Sequence, residues 1–164
     1  MGTLRRVVLL GRGGAGKSTA ARQLSGVLGV PLIELDARFW SAALEPTSPE
    51  RWEALQEEWA AAGSWVMDGD LGPYDVLAPR LRHADTVIVL DFSLPRCLWR
   101  AARRSRERLD FWWWVITWRR VSRPKLLAAV SAHAPQAHLH VLRSPAQLTR
   151  FMTDLDAGHR ATPR

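Results

Sequence analysis

Eight consecutive residues, Gly11-Arg12-Gly13-Gly14-Ala15-Gly16-Lys17-Ser18, have the spacing G-x-x-x-x-G-K-[ST]. Residues of these types in this order form a phosphate-binding P-loop. Glycines let the backbone bend tightly enough for successive N–H groups to converge on an anion. A helix opening directly after the loop adds the partial positive charge of its N-terminus. The Lys17 ammonium would reach the β- and γ-phosphates, and the Ser18 hydroxyl would ligate Mg²⁺. The expected nucleotide contacts are Gly11, Gly13, Gly14, Ala15, Gly16, Lys17, Ser18 and Thr19, with ATP and Mg²⁺ as ligands.

Acidic residues end three of the apolar runs: Asp36, Asp68 and Asp91. Open α/β sheets place their ligands beyond the carboxyl ends of strands. Asp36 there could accept a proton from an acceptor hydroxyl, orient it, or merely cap a helix. Arg38 and Trp40 sit just beyond the same strand end as Asp36, and with Asp70, which follows Asp68, they are expected to shape the acceptor pocket.

The segments that must position these groups alternate between strand and helix. Arg5–Leu10 is apolar throughout, as a central parallel strand is. Ser18–Leu28 reads as a helix ended by Gly29. Pro31–Leu35 is a short second strand. Thr47-Ser48-Pro49-Glu50 has the T-x-x-E spacing of a capping box with Pro in the first turn, followed by a Trp52, Leu55, Trp59 stripe suited to core packing. Ser64–Asp68 and Thr86–Leu90 are the third and fourth strands, with a Gly-rich loop over Gly69–Asp75 and a short helix over Val76–Arg82 between them. Leu94–Arg108, Ser122–His133 and Pro145–Leu155 read as helices, and His138–Leu142 as the fifth strand. The residues from Ala157 on have little to bury and are expected to fray. Strands alternating with helices predict an α/β fold with a parallel sheet covered on both faces.

The 164 residues suffice for one domain, 1–164, with a substantial core. There is no apolar run long enough to span a bilayer and no evident leader before the first strand, so a cytoplasmic protein is expected. Cys97 is the lone cysteine, which excludes an internal disulfide and suits a small buried residue. The net charge of +7 is unevenly placed. Residues 96–125 hold nine arginines and Lys125 against Glu107 and Asp110, a net of +8, while the rest of the chain nets −1. Such a stretch suits either a lid over phosphates or a surface for a polyanion. The same stretch contains Trp112, Trp113, Trp114 and Trp118. These side chains could pack on the domain's own core, roof an apolar acceptor, form a homodimer contact, lie on a membrane surface or stack on bases.

Taken together, the motifs resemble those of the adenylate-kinase-like small P-loop kinases. Within that group the chain is most similar to the bacterial proteins labelled DNA topology modulation proteins. The resemblance rests on G-R-G-G-A-G-K-S, then L-D-A-R-F-W, W-V-M-D-G, T-V-I-V-L-D and C-L-W-R-A-A-R-R in that order, with L-R-S-P near the end. It implies a three-layer α/β/α fold with strand order 2-3-1-4-5, a helical Arg/Trp-rich lid over about 104–124, and an acceptor-side insertion over about 36–63. It also implies that Asp68 holds Mg²⁺ on the metal side, with Asp91 as the alternative because it too ends a strand beside the P-loop. Arg100 and Arg104 match the arginines that contact adenine and the phosphates, and their i, i+4 spacing puts both guanidinium groups on one helix face. Asp36 and Arg38 match the acceptor side. Adenylate kinases continue D-G-F-P-R, where the arginine grips a monophosphate; here the run is Asp68-Gly69-Asp70-Leu71-Gly72, so that grip has no counterpart.

Two functions fit this sequence. One is a phosphotransferase in which Lys17, Asp36 and Arg104 carry the chemistry, moving the γ-phosphate of Mg·ATP to a nucleotide or other small molecule. The other is a regulatory ATP-binding protein whose basic, aromatic lid touches nucleic acid, although nothing resembles a base-reading module.

Overall fold

The computed structural model describes residues 4–39, 46–72, 75–104 and 109–161, without the side chains of residues 104, 109, 110, 160 and 161. The strands are β1 (Arg6–Gly11), β2 (Leu32–Glu34), β3 (Trp65–Asp68), β4 (Thr86–Leu90) and β5 (His138–Leu142). They form one parallel sheet of order β2-β3-β1-β4-β5, as the resemblance implies. Leu9 pairs with Asp68 of β3 and Gly11 with Leu90 of β4, so the ends of both neighbours flank the P-loop.

The helices are α1 (Lys17–Leu28), α2 (Asp36–Phe39), α3 (Pro49–Ala60), α4 (Ala78–His83), α5 (Leu94–Arg104), α6 (Leu109–Thr117), α7 (Ser122–His133) and α8 (Pro145–Ala161). Alternation along β1 divides the core into two. Val7 and Leu9 pack with Ala20, Leu24, Cys97, Phe151 and Leu155 on the α1, α5 and α8 side. Val8 and Leu10 pack with Trp52, Leu81, Leu126 and Val130 on the α3, α4 and α7 side. Burying both faces is what requires β1, β3 and β4 to be apolar almost throughout.

Several local expectations are adjusted. The cap of α3 is Ser48, whose hydroxyl accepts the Arg51 N–H at 3.4 Å. Thr47 instead donates to the Phe39 carbonyl at 2.6 Å, tying the entry of α3 to α2. Trp52 is fully buried, in edge contact with Phe39 and Trp59. The helix of the C-terminal segment continues to Ala161, past the point where fraying is expected. Its last residues are tolerable helix formers, and Pro163 is the first strong break. The tryptophan-rich run is helical, and α6 straddles the sheet's end: Phe111 and Val115 join one core, Trp118 joins the other, and Trp114 packs against both. Core packing therefore accounts for Trp118 and part of Trp114, while Trp113 is 70% exposed. Cys97 is buried, as expected.

Candidate active site

Gly14 has φ 78°, and a Cβ there would stand 2.2 Å from the Cys97 carbonyl oxygen. Only glycine allows the loop to turn there while α5 passes this closely. Gly16 precedes α1 in the left-handed conformation and contributes no side-chain cap, and no acidic residue lies in the helix's first turn. The first amides of α1 are thus left without a side-chain acceptor, which suits an anionic ligand. Lys17 folds back on the loop, its Nζ donating to the carbonyl of Gly11 at 2.9 Å and toward that of Arg12 at 3.5 Å.

Beside the loop, Asp68 is 3% exposed, and its Oδ1 is buried without a hydrogen-bond partner. Burial pushes its carboxyl above the usual range, opposed by the Lys17 charge and the Ser18 hydroxyl. A buried, unpartnered carboxylate oxygen beside a P-loop serine is a fit donor for Mg²⁺ or its bound water. Asp91, at the other side of β1, is differently engaged. Arg119 donates from Nε to its Oδ1 at 2.7 Å, and Arg123 from Nε to its Oδ2 at 3.1 Å. Both of its carboxylate oxygens are therefore committed to arginines.

Asp36 opens α2 at the mouth of the site. Its outer surface is exposed, yet its Oδ1 lies only 3.1 Å from where Gly69 would carry a Cβ. Desolvation of the carboxyl on its inward side raises its pKa; Lys17 opposes the rise, and Asp68 and Asp75 add to it. Asp70 is also pushed up, chiefly by burial, although its Oδ1 accepts the Gly72 N–H at 3.1 Å and its Oδ2 the Trp118 indole N–H at 3.4 Å. Arg38 points away from these carboxylates, its guanidinium lying 5.0 Å from the centre of the Trp59 ring. Trp40 lies outside the described residues, and so does the side chain of Arg104, which ends α5.

On the far side of the loop a cleft of about 410 Å³ is lined by Gly14, Gly16, Ser18, Thr19, Trp99, Arg100 and Arg103. Arg100 brings its Nη2 to 3.2 Å from the point where Gly16 would carry a Cβ, directly at the start of α1. The structure thus brings Lys17, Ser18, Asp36 and Asp68 together, and Ser18 also lines the cleft shared with Arg100.

Sequence reasoning passed over two features. Arg80 is fully buried in α4, where its Nη2 reaches Asp75 Oδ2 at 2.6 Å and the Gly69 carbonyl at 3.3 Å. Its Nη1 bonds Gln56, Asp75 and the Val76 carbonyl, so one arginine holds the turn that follows Asp68 against α3. Nothing in the pattern separates Arg80 from Arg82, which is exposed. Arg12 is buried too, donating to the Phe92 carbonyl at 3.3 Å with its guanidinium 5.5 Å from the Trp118 ring centre. It occupies a variable position of the P-loop motif, which carries no signal for its burial.

No family model and no curated protein matches the chain. Solved structures do. The shikimate kinase of Acinetobacter baumannii, solved in complex with shikimate, superposes with a TM-score of 0.64 at 17% identity, over 98% of this chain and 97% of that one. An unliganded sugar kinase of Janibacter sp. HTCC2649 gives 0.57 at 22% identity, over 98% and 99%. A gluconokinase of Sinorhizobium meliloti 1021 gives 0.54 at 16% identity, over 96% and 93%. Over nearly its whole length, this chain has the fold of those small P-loop kinases.

Proposed function

We propose that the chain is an ATP-dependent phosphotransferase that moves the γ-phosphoryl group of Mg·ATP to a hydroxyl on a small molecule. The observation that carries this reading is the buried, unpartnered Oδ1 of Asp68 beside Lys17 and Ser18, at the uncapped start of α1. The kinases that share the fold support it. The sequence motifs support a place within the adenylate-kinase-like group, next to the topology modulation proteins, and a cytoplasmic setting.

Each residue then has a task. The loop amides and Lys17 hold the β- and γ-phosphates, with Lys17 leaving the carbonyls of its own loop to do so. Ser18 and Asp68 would hold Mg²⁺, which neutralises phosphate oxygens. Arg100, joined by Arg104, steadies the phosphates from the lid side. Asp36 orients the acceptor and takes its hydroxyl proton as the new O–P bond forms and the bond to ADP breaks. Residues of about 36–63 would border the acceptor, with Asp36 and Trp40 as candidate contacts; to join them Arg38 would have to leave Trp59, and Asp70 the Gly72 and Trp118 N–H groups. A lid of about 104–124 would roof the site; the support for it is that Phe111 and Trp114 of α6 lie on Gly13, and Trp114 on Gly72. Excluding water there protects the phosphoryl group from hydrolysis.

The regulatory, nucleic-acid-facing reading draws on the +8 segment. Two of its arginines, Arg119 and Arg123, spend their charge on Asp91, and Trp118 is buried, which favours the lid of an enzyme. Trp113, 70% exposed, is open for contact with a second copy of the chain. The test is ADP release from Mg·ATP across a panel of nucleotides and hydroxyl compounds, with Lys17→Ala as control. Acceptor-dependent release supports the proposal. Its absence, with salt-sensitive binding to duplex DNA instead, favours the regulatory reading.

A further inference from the structure

We propose that Trp99 is the stacking platform for the donor's nucleobase, and that it leaves the protein indifferent to which purine it takes. The proposal rests on the phosphotransferase reading of the same cleft. Trp52, Trp65 and Trp118 are fully buried, whereas Trp99 is 61% exposed. That exposure is not on a random face. Trp99 lines the cleft that begins at Gly14, Gly16, Ser18 and Thr19.

Helix α5 supplies both halves of a nucleotide contact within one turn. Arg100 reaches the start of α1, where a polyphosphate would lie. Trp99, one residue earlier, lines the same cleft, and Arg103 is four residues on from it, on the same helix face. The Arg103 guanidinium lies 4.7 Å from the Trp99 ring centre. This contact fixes the indole's orientation and leaves more than half of the residue open. An aromatic platform one residue from a phosphate-binding arginine matches the two parts of a nucleotide, an anionic tail and a flat base.

Stacking explains selectivity as well as affinity. Every base has a π-face, so an indole holds adenine and guanine alike, and the larger purine rings better than pyrimidines. Reading a base edge requires placed donors and acceptors. Among the described residues lining this cleft there is no carboxylate or carboxamide. Arg100 is directed at the phosphate end, and Arg103 at the indole.

The test is calorimetric titration of the full chain and of Trp99→Ala and Trp99→Phe with Mg·ADP, Mg·GDP and Mg·tripolyphosphate, after thermal melts have shown that the variants fold. Expected are ADP and GDP affinities within about threefold of each other, and a loss of about tenfold or more for both in Trp99→Ala. Trp99→Phe should recover most of that loss, and tripolyphosphate binding should be unchanged in both variants. Unaltered ADP affinity in Trp99→Ala, or a purine preference above tenfold in the wild type, overturns the platform. Tripolyphosphate binding as tight as ADP overturns it while leaving the phosphate cradle intact. Failure to bind all three ligands overturns both the platform and the phosphotransferase reading.

Discussion

Trp114 brings a ring carbon to within 2.9 Å of the point where Gly13 would carry a Cβ, and Phe111 comes to 2.8 Å of it. The lid helix can rest on the P-loop only because position 13 is glycine. Gly13→Ala is therefore expected to displace α6 and to cost about 1–3 kcal/mol, as overpacking does. Trp114→Ala opens the roof without touching the loop. It is expected to raise ADP release in the absence of any acceptor. Unchanged background hydrolysis in Trp114→Ala contradicts a water-excluding role.

Asp68 carries a cost beside its proposed role. Its folded-state pKa is raised, so the folded protein holds this proton more tightly than the unfolded chain. Ionising it removes stability as pH rises through that folded value, and the cost is present at neutral pH. Asp68→Asn is expected to raise the melting temperature at pH 7 by about 2–4 °C, equivalent to about 1 kcal/mol. The gain should shrink at acid pH, below the ordinary carboxylate range. The same variant should lose Mg²⁺-dependent turnover. A destabilised Asp68→Asn at neutral pH would show that the buried oxygen has a partner.

Asp36 can act as the proposed base only when ionised, and desolvation holds its carboxyl above the ordinary range. The acid limb of the kcat/KM profile is expected to lie above the usual carboxylate range for that reason. Asp36→Asn should lower kcat by about 10²–10⁴-fold and remove that limb. An Asp36→Asn enzyme with wild-type kcat assigns the residue to the first turn of α2 and nothing more.

Arg80 and Asp75 form a buried pair that braces the Gly69 turn. Arg80→Ala leaves Asp75 without its ion-pair partner, with the Leu71 N–H still donating to it at 3.3 Å, at a cost of about 3–5 kcal/mol in urea denaturation. The double change Arg80→Met with Asp75→Leu should recover much of that stability. Its phosphoryl transfer should stay impaired, since the turn carrying Asp70 loses its brace. Full activity in the double variant would separate this pair from the site.

The P-loop, the five strands and the sheet they form were legible because periodicity and glycine spacing are local properties. Lys17 and Ser18 follow from the P-loop spacing, and Asp68 from the resemblance, as candidates for the proposed site. Asp91 shows the limit: it ends a strand beside the P-loop just as Asp68 does, and only the approach of Arg119 and Arg123 from some thirty residues away distinguishes them. Arg38 was unreadable for a similar reason, since Trp59 lies on a different helix and draws it outward. Arg80 and Trp99 gave no signal at all. A buried arginine and an exposed tryptophan both invert the usual preference, and such inversions are set by tertiary neighbours that a linear pattern does not name.

Phosphoryl transfer is what this P-loop is proposed to serve. Its most direct measure is ADP release from Mg·ATP, with and without small hydroxyl-bearing acceptors, in the wild type and in Lys17→Ala. The account predicts acceptor-stimulated release that falls by at least about 10²–10³-fold in Lys17→Ala, the loss of a placed cation on the phosphates. Wild-type-like turnover in Lys17→Ala, or no acceptor stimulation across a broad panel, would contradict it.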